Sequence, residues 1–282
     1  GSGYSDKPSP LSEEARERSG EHGRSLGTTE AELSDGSGGL RRASVPLEHP
    51  LGSVYNMYTW SEQVGDFARE VVHSSSPSGE ASSSSGTILV GNSIGSVVAL
   101  QAAADAPDLF KGLFLVNPRF REEHVAEAPP LAVPVISAVQ SLLRETSVGG
   151  WLFGAAANPS TVKTILEEPY YDKAQVTDEL VDVLLSPLLS PGAPEVLFDT
   201  LSYSTGPLLE QLLQEGRISS PVWVCWGEQD PWTPPKRLAS LDRFPAVERI
   251  VGFPGVGHCP HDEAPGPFNS LLTEFAQKLT AG

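Results

Sequence analysis

The stretch Thr87-Ile88-Leu89-Val90-Gly91-Asn92-Ser93-Ile94-Gly95-Ser96-Val97-Val98-Ala99-Leu100-Gln101-Ala102-Ala103-Ala104-Asp105-Ala106-Pro107 sets the fold. Its opening apolar run, rich in branched residues, has the pattern of a buried strand. The run stops at Gly91-Asn92-Ser93-Ile94-Gly95, a G-x-S-x-G, and gives way to an apolar helix that Pro107 ends. Strand, glycine-flanked serine and helix in that order predict a nucleophile elbow. So tight a turn forces the apical serine into strained dihedrals, and side chains at positions 91 and 95 should clash with the crossing backbone. Ser93 Oγ is then pushed out at the carboxyl end of the sheet. The backbone N–H of Ile94, at the helix start, points toward any developing oxyanion. The bare pattern is weak in a chain with 27 Gly and several serine runs. Its flanking strand and helix carry the signal.

Working outward, Gly112-Leu113-Phe114-Leu115-Val116 reads as a second buried strand. Strand, helix, strand at this spacing is a βαβ unit and implies a parallel sheet. The strand signal then stops until Pro221 to Trp226 and Val247 to Phe253. Between them lie amphipathic helical stretches: Pro134 to Leu143, a helix capped by Thr177-Asp178-Glu179 and holding Leu180, Val181, Leu184 and Leu185, and Pro207 to Leu213. Phe268, Leu271, Leu272, Phe275 and Leu279 form a closing helix. Upstream, Thr59-Trp60-Ser61-Glu62 has the form of a capping box opening a helix that buries Trp60, Val64, Phe67 and Val71. Gly3 to Pro8 is a compact turn. The expected organisation is an α/β fold in three parts. Residues 1–118 are a first core segment, with a disordered insertion at 11–50 and a Ser-rich loop at 74–86. Residues 119–217 are a helical cap over Ser93, with apolar side chains lining a pocket, and 218–282 are a second core segment.

The 282 residues carry 36 acidic and 19 basic side chains, a net charge of −17. Such a surface repels phosphate backbones and makes nucleic acid an unsuitable partner. Cys225 and Cys259 make no disulfide framework, and six scattered histidines show no metal-ligand spacing. No apolar run approaches the ~18 residues of a membrane span.

Serine acyl transfer needs a base, a group that orients it, and oxyanion donors. The strand at 222–226 leads into Gly227-Glu228-Gln229-Asp230-Pro231, and the strand near 250 leads into Gly255-Val256-Gly257-His258-Cys259-Pro260. An acid and a histidine thereby reach the edge that carries Ser93. The expected triad is Ser93, Asp230 and His258, with Ser93 Oγ in or near hydrogen-bond reach of a ring nitrogen of His258. Glu228 and Asp262 compete as acids, but Glu228 lies closer to its strand and Asp262 falls past the histidine. Cys259 has no strand-turn-helix mount and reads as packing, and His261 as an ordinary loop histidine.

With these residues in place the chain resembles the α/β-hydrolases and, more narrowly, the chlorophyll dephytylases of plants and algae, relatives of pheophytinase. The matching phrases are Gly3-Tyr4-Ser5-Asp6-Lys7-Pro8, Thr59-Trp60 with Gln63 and Asp66-Phe67, the Gly91–Gly95 elbow, and Val148-Gly149. Further on come Val176-Thr177-Asp178-Glu179-Leu180, Tyr203-Ser204 with Gly206-Pro207-Leu208, Trp226-Gly227-Glu228 with Asp230-Pro231-Trp232, and Gly257-His258-Cys259-Pro260. The resemblance implies an α/β-hydrolase fold with a mostly parallel sheet and an inserted helical cap. It also implies a cofactor-free esterase acting on the phytyl ester of chlorophyll or a related pigment in the chloroplast, with room for peripheral thylakoid association. Other esterases or thioesterases, and a non-catalytic hydrolase-like binding protein, stay open. Epoxide hydrolases and haloalkane dehalogenases of this fold carry Asp where Ser93 stands. Hydrolases of this kind also place strands ahead of the Gly3–Pro8 phrase, one ending in a His-Gly loop that gives a second oxyanion donor. The chain therefore reads as lacking those N-terminal strands. Ile88 to Val90 are then expected at a sheet edge, with low stability and residual turnover as the consequence.

Overall fold

The computed structural model describes residues 3–13, 15, 28–34, 40–46, 53–74, 86–119, 132–202, 207–214, 216–233 and 235–280. In chain order the main elements are β1 (Thr28–Ser34), β2 (Leu40–Pro46), α1 (Met57–Phe67), β3 (Thr87–Asn92), α2 (Ile94–Asp105), β4 (Phe110–Val116) and α3 (Val133–Glu145). Then follow α4 (Ser147–Ala156), α5 (Pro159–Leu166), α6 (Asp178–Leu188), α7 (Ala193–Leu201), β5 (Val222–Gly227), β6 (Val247–Phe253) and α8 (Pro265–Thr280). Among the described residues between 119 and 217, every regular element is helical.

Strands β3, β4, β5 and β6 form an all-parallel sheet in that order. Val90 pairs with Phe114, Leu115 with Val224, and Val224 with Ile250, so all four carboxyl ends share one edge. A parallel sheet must be covered on both faces. On one face Phe114, Val116, Trp223, Cys225 and Phe253 pack with Phe268, Leu271 and Phe275 of α8. The Phe114 and Phe268 rings meet edge to face at 5.6 Å. Leu113 and Leu115 alternate to the other face and are also fully buried. The elbow helix α2 is apolar nearly all round and buries Ser96 to Ala103. Strand β3 is an outer strand of the described sheet, and Val90 is 48% exposed.

The chain divides into two compact units. One, the sheet unit, comprises Trp60–Phe120, Glu167–Val176 and Pro207–Gly282; the other comprises Gly1–Thr59, Arg121–Leu166 and Thr177–Gly206. These boundaries depart from the division at 118 and 217. Residues 1–59 join the helices because Tyr4 OH donates to Ser186 Oγ (3.0 Å) and Ser53 Oγ donates to Asp199. Residues 167–176 join the sheet unit through the histidine loop.

Three local expectations are corrected. Strands β1 and β2 pair antiparallel inside 11–50, with Glu32 opposite Arg42, where composition suggests disorder. The rest of 16–52 and residues 75–85 lie outside the described residues. Second, Asn56 and not Thr59 caps α1: its Oδ1 accepts from Thr59 N at 2.9 Å, and the helix starts at Met57. Third, the chain passes into a π-helix at Ala68–His73, and the buried stripe runs through Met57, Ser61 and Ala68. Phe67 (60%) and Val71 (49%) are left exposed.

Candidate active site

Ser93 sits between β3 and α2 at φ 53°, ψ −119°. A non-glycine residue persists there only if its surroundings over-determine it. They do: Ser93 N donates to Val116 O (2.9 Å), and Ser93 O accepts from Ser96 N (3.0 Å) and Arg119 N (3.2 Å). Ser96 Oγ donates to Gly91 O at 2.6 Å. A Cβ at Gly91 would lie 2.4 Å from Gly95 O, so a larger residue is shut out. At Gly95 a Cβ would meet nothing within 4 Å, which corrects the expected clash there. Gly95 contributes a close carbonyl, not a crowded Cα. Ile94 opens α2, and amides of a first helical turn have no partner within their helix.

Asp230 leaves the end of β5 and His258 follows β6. Their side chains meet, with His258 Nδ1 and Asp230 Oδ2 2.7 Å apart and both groups buried. Asp230 Oδ2 also accepts from Asn117 Nδ2 at 2.5 Å, and Oδ1 accepts from Trp232 N at 2.8 Å. Burial alone would raise this carboxyl. Hydrogen bonds from His258 and Thr233, with the Trp232 amide, outweigh it and hold Asp230 below the usual carboxylate range. The Trp232 ring stands edge-on to the imidazole at 4.9 Å. His258 Nε2 is buried and, among the described residues, has no hydrogen-bond partner.

The competing acids are engaged elsewhere or stand apart from the imidazole. Asp262 accepts from Tyr170 OH at 2.6 Å, and Glu228 Oε1 lies near Gly252. Burial pushes the Cys259 thiol up to about 11, which leaves little thiolate at neutral pH. His261 packs its ring against Phe268 at 5.9 Å. Among the described residues no group of three His, Cys, Asp or Glu is placed to hold a metal ion.

Two asparagines tie the loops at this sheet edge together. Asn92 Nδ2 donates to His258 O (3.1 Å) and to Val116 O (3.3 Å). Asn117, at φ 41°, donates its own N–H to Cys225 O (2.9 Å), and its Oδ1 accepts from Gly227 N (3.2 Å). Sequence reasoning missed Asn117, although it directly follows the apolar run of β4 as Asp230 follows β5. So serine, asparagine, aspartate and histidine all stand at one sheet edge. The imidazole is oriented at Nδ1, while among the described residues Nε2 makes no hydrogen bond, so the expected bond to Ser93 Oγ is not formed here.

A model of the family described as "Alpha/beta hydrolase family" matches residues 22–271. Two curated relatives are similar over shorter spans. The chloroplastic pheophytinase of Arabidopsis thaliana is 27% identical over 236 residues, 81% of this chain and 46% of that protein. An epoxide hydrolase (EphH) of Mycobacterium tuberculosis is 29% identical over 156 residues, 55% of this chain and 64% of that protein. The chain thus spans less than two thirds of the length of either. Among solved structures, a serine hydrolase involved in carbazole degradation superposes with TM-score 0.58 at 14% identity, covering 79% of this chain and 72% of that one. A thermophilic esterase from Thermogutta terrifontis does so with TM-score 0.50 at 23% identity, covering 69% and 66%. At these identities the structures show the fold alone.

Proposed function

The chain belongs to the alpha/beta hydrolase family, and from that premise we propose that it is a serine esterase whose nucleophile is Ser93, with His258 as base and Asp230 as its orienting acid. The observation that carries this reading is the buried Asp230–His258 pair at 2.7 Å, on the sheet edge where the strained elbow presents Ser93. His258 Nε2 takes the Ser93 proton as Oγ attacks the ester carbonyl, and the oxyanion forms against the Ile94 N–H. The same proton passes to the leaving alcohol, giving an acyl-serine. Water then attacks, losing its proton to Nε2, and frees the carboxylic acid and Ser93. Asp230 keeps the Nδ1–H tautomer and stabilises the imidazolium.

For the substrate we propose the phytyl ester of chlorophyll or a related pigment, in the chloroplast. Support comes from the likeness to pheophytinase. The exposed apolar side chains of the helical unit, among them Val135, Val139 and Trp151, the last 72% exposed, would serve peripheral association with a thylakoid membrane. No single described helix is long and apolar enough to cross one. An epoxide substrate is disfavoured by the hydroxyl at the elbow, where epoxide hydrolases of this fold carry Asp.

A second reading, a hydrolase-like binding protein, draws on the absence of a described partner for His258 Nε2. Turnover separates the two. The protein is assayed with p-nitrophenyl esters of increasing acyl length and with chlorophyll and pheophytin. Release of phytol, abolished in Ser93→Ala, is the expected result. Hydrolysis of short esters alone would reassign the chain to another esterase or thioesterase. No turnover of any ester would favour the binding protein.

A further inference from the structure

Glu263 reaches across the histidine loop. Its Oε1 accepts from Gly257 N (3.0 Å) and Cys259 N (3.4 Å), the amides on either side of His258. Oε2 accepts from Tyr171 N (2.9 Å) and Asp172 N (3.2 Å) on the segment Glu167–Val176. That segment also bonds the histidine directly, since His258 N donates to Pro169 O at 2.8 Å. One carboxylate therefore closes a ring of backbone hydrogen bonds around residue 258. The carbonyl of His258 is taken by Asn92, so both peptide groups of the residue are fixed. The packing leaves no slack: a Cβ at Gly257 would lie 2.3 Å from Pro169 O, 2.7 Å from Tyr171 N and 2.9 Å from Glu263 Oε1.

We propose that Glu263 is the positioning residue of His258, and that its carboxylate sets the imidazole's place against Asp230 by tying the 257–259 loop to residues 169–172. The role rests on the catalytic reading above, but the bonds stand without it. Hydrogen bonds to a charged acceptor are stronger than neutral ones. A displacement of about 1 Å at a catalytic group can cost roughly 100-fold in rate. Glu263 touches no reacting atom, so its loss should lower kcat and leave KM nearly unchanged.

The test uses Glu263→Gln, which keeps size and one acceptor oxygen, and Glu263→Asp, which keeps the charge one methylene short. Ester kinetics are measured well below Tm. In parallel, the hydrogen-bonded Nδ1 proton of His258 is followed by NMR, assigned by its absence from His258→Gln. Glu263→Gln should lower kcat about 10- to 100-fold, the range of one charged hydrogen bond, and shift or broaden the Nδ1 resonance. Glu263→Asp should fall between it and the wild type, and decides the matter alone if the glutamine variant does not fold. A lowered Tm with wild-type kcat and an unmoved resonance in the folded variants would overturn the proposal. If the wild type turns over no ester, the esterase reading fails, and the NMR comparison still decides the clamp.

Discussion

Among the described residues each unit holds a carboxylate with a fully buried side chain, and the two have different partners. Asp199 in the helical unit and Asp230 in the sheet unit both have fully buried side chains. Asp199 accepts from Arg144 Nε at 2.6 Å and from Ser53 Oγ. The contact is an ion pair between a buried guanidinium and a buried carboxylate. It fixes α7 to α3 and to the chain entering at residue 53. Asp230 faces an imidazole, whose charge can change within a catalytic cycle, and it is held by neutral donors from Asn117 and the Trp232 amide. Equal burial thus serves an ion pair with a guanidinium in one place and a hydrogen bond to an imidazole in the other. The partner, not the depth, sets the role.

Breaking the sheet-unit pair should have the largest effect. Asp230→Asn removes the acid that orients His258, and loss of the corresponding acid in a serine triad lowers kcat about 10,000-fold. Steady-state ester kinetics should show that fall, with a much smaller change in Tm. A kcat within tenfold of wild type would make Asp230 an ordinary buried side chain.

The helical unit should respond in the opposite sense. Arg144→Met strands a buried carboxylate, a defect that costs about 3–5 kcal/mol of stability. Urea denaturation should register that loss, while kcat per folded molecule stays near wild type. Were activity lost and stability kept, Asp199 and Arg144 would belong to the chemistry, and the contrast would fail.

A smaller effect sharpens the comparison through pH. The folded Asp230 carboxyl lies below its unfolded value of about 3.9, burial opposing the shift and the His258 and Thr233 bonds producing it. A depressed carboxyl contributes stability above its unfolded pKa and loses it as pH falls through the folded value. The stability advantage of wild type over Asp230→Asn should therefore shrink as pH falls below about 4. An advantage undiminished by that acidification would contradict the assignment.

Much of the site was legible because its signals are local. The apolar run, the glycines and the apolar helix all fall within 87–107, and Asp230 and His258 each follow a strand pattern. Asn117 carried the same positional signal but has no titratable group to attract notice. Glu263 and Pro169 were illegible for a different reason: their contacts run through backbone N–H and C=O groups, which every residue has. The helical unit misled in proportion to how far its partners lie apart. In α3 the apolar Val135, Ile136 and Val139 are exposed and Arg144 is buried, an inversion that its pairing with Asp199, 55 positions away, accounts for. At α1 the pattern Thr59-x-x-Glu62 fits a capping box, yet Asn56 caps the helix three residues earlier.

The central claim is that Ser93 is an activated nucleophile served by the His258–Asp230 pair. It is tested most directly by reacting the protein with a fluorophosphonate and locating the adduct by peptide mass spectrometry. One equivalent on Ser93, formed in the wild type and nearly absent in His258→Ala, is the result this account predicts. No adduct on Ser93, or labelling that proceeds equally without His258, would contradict it.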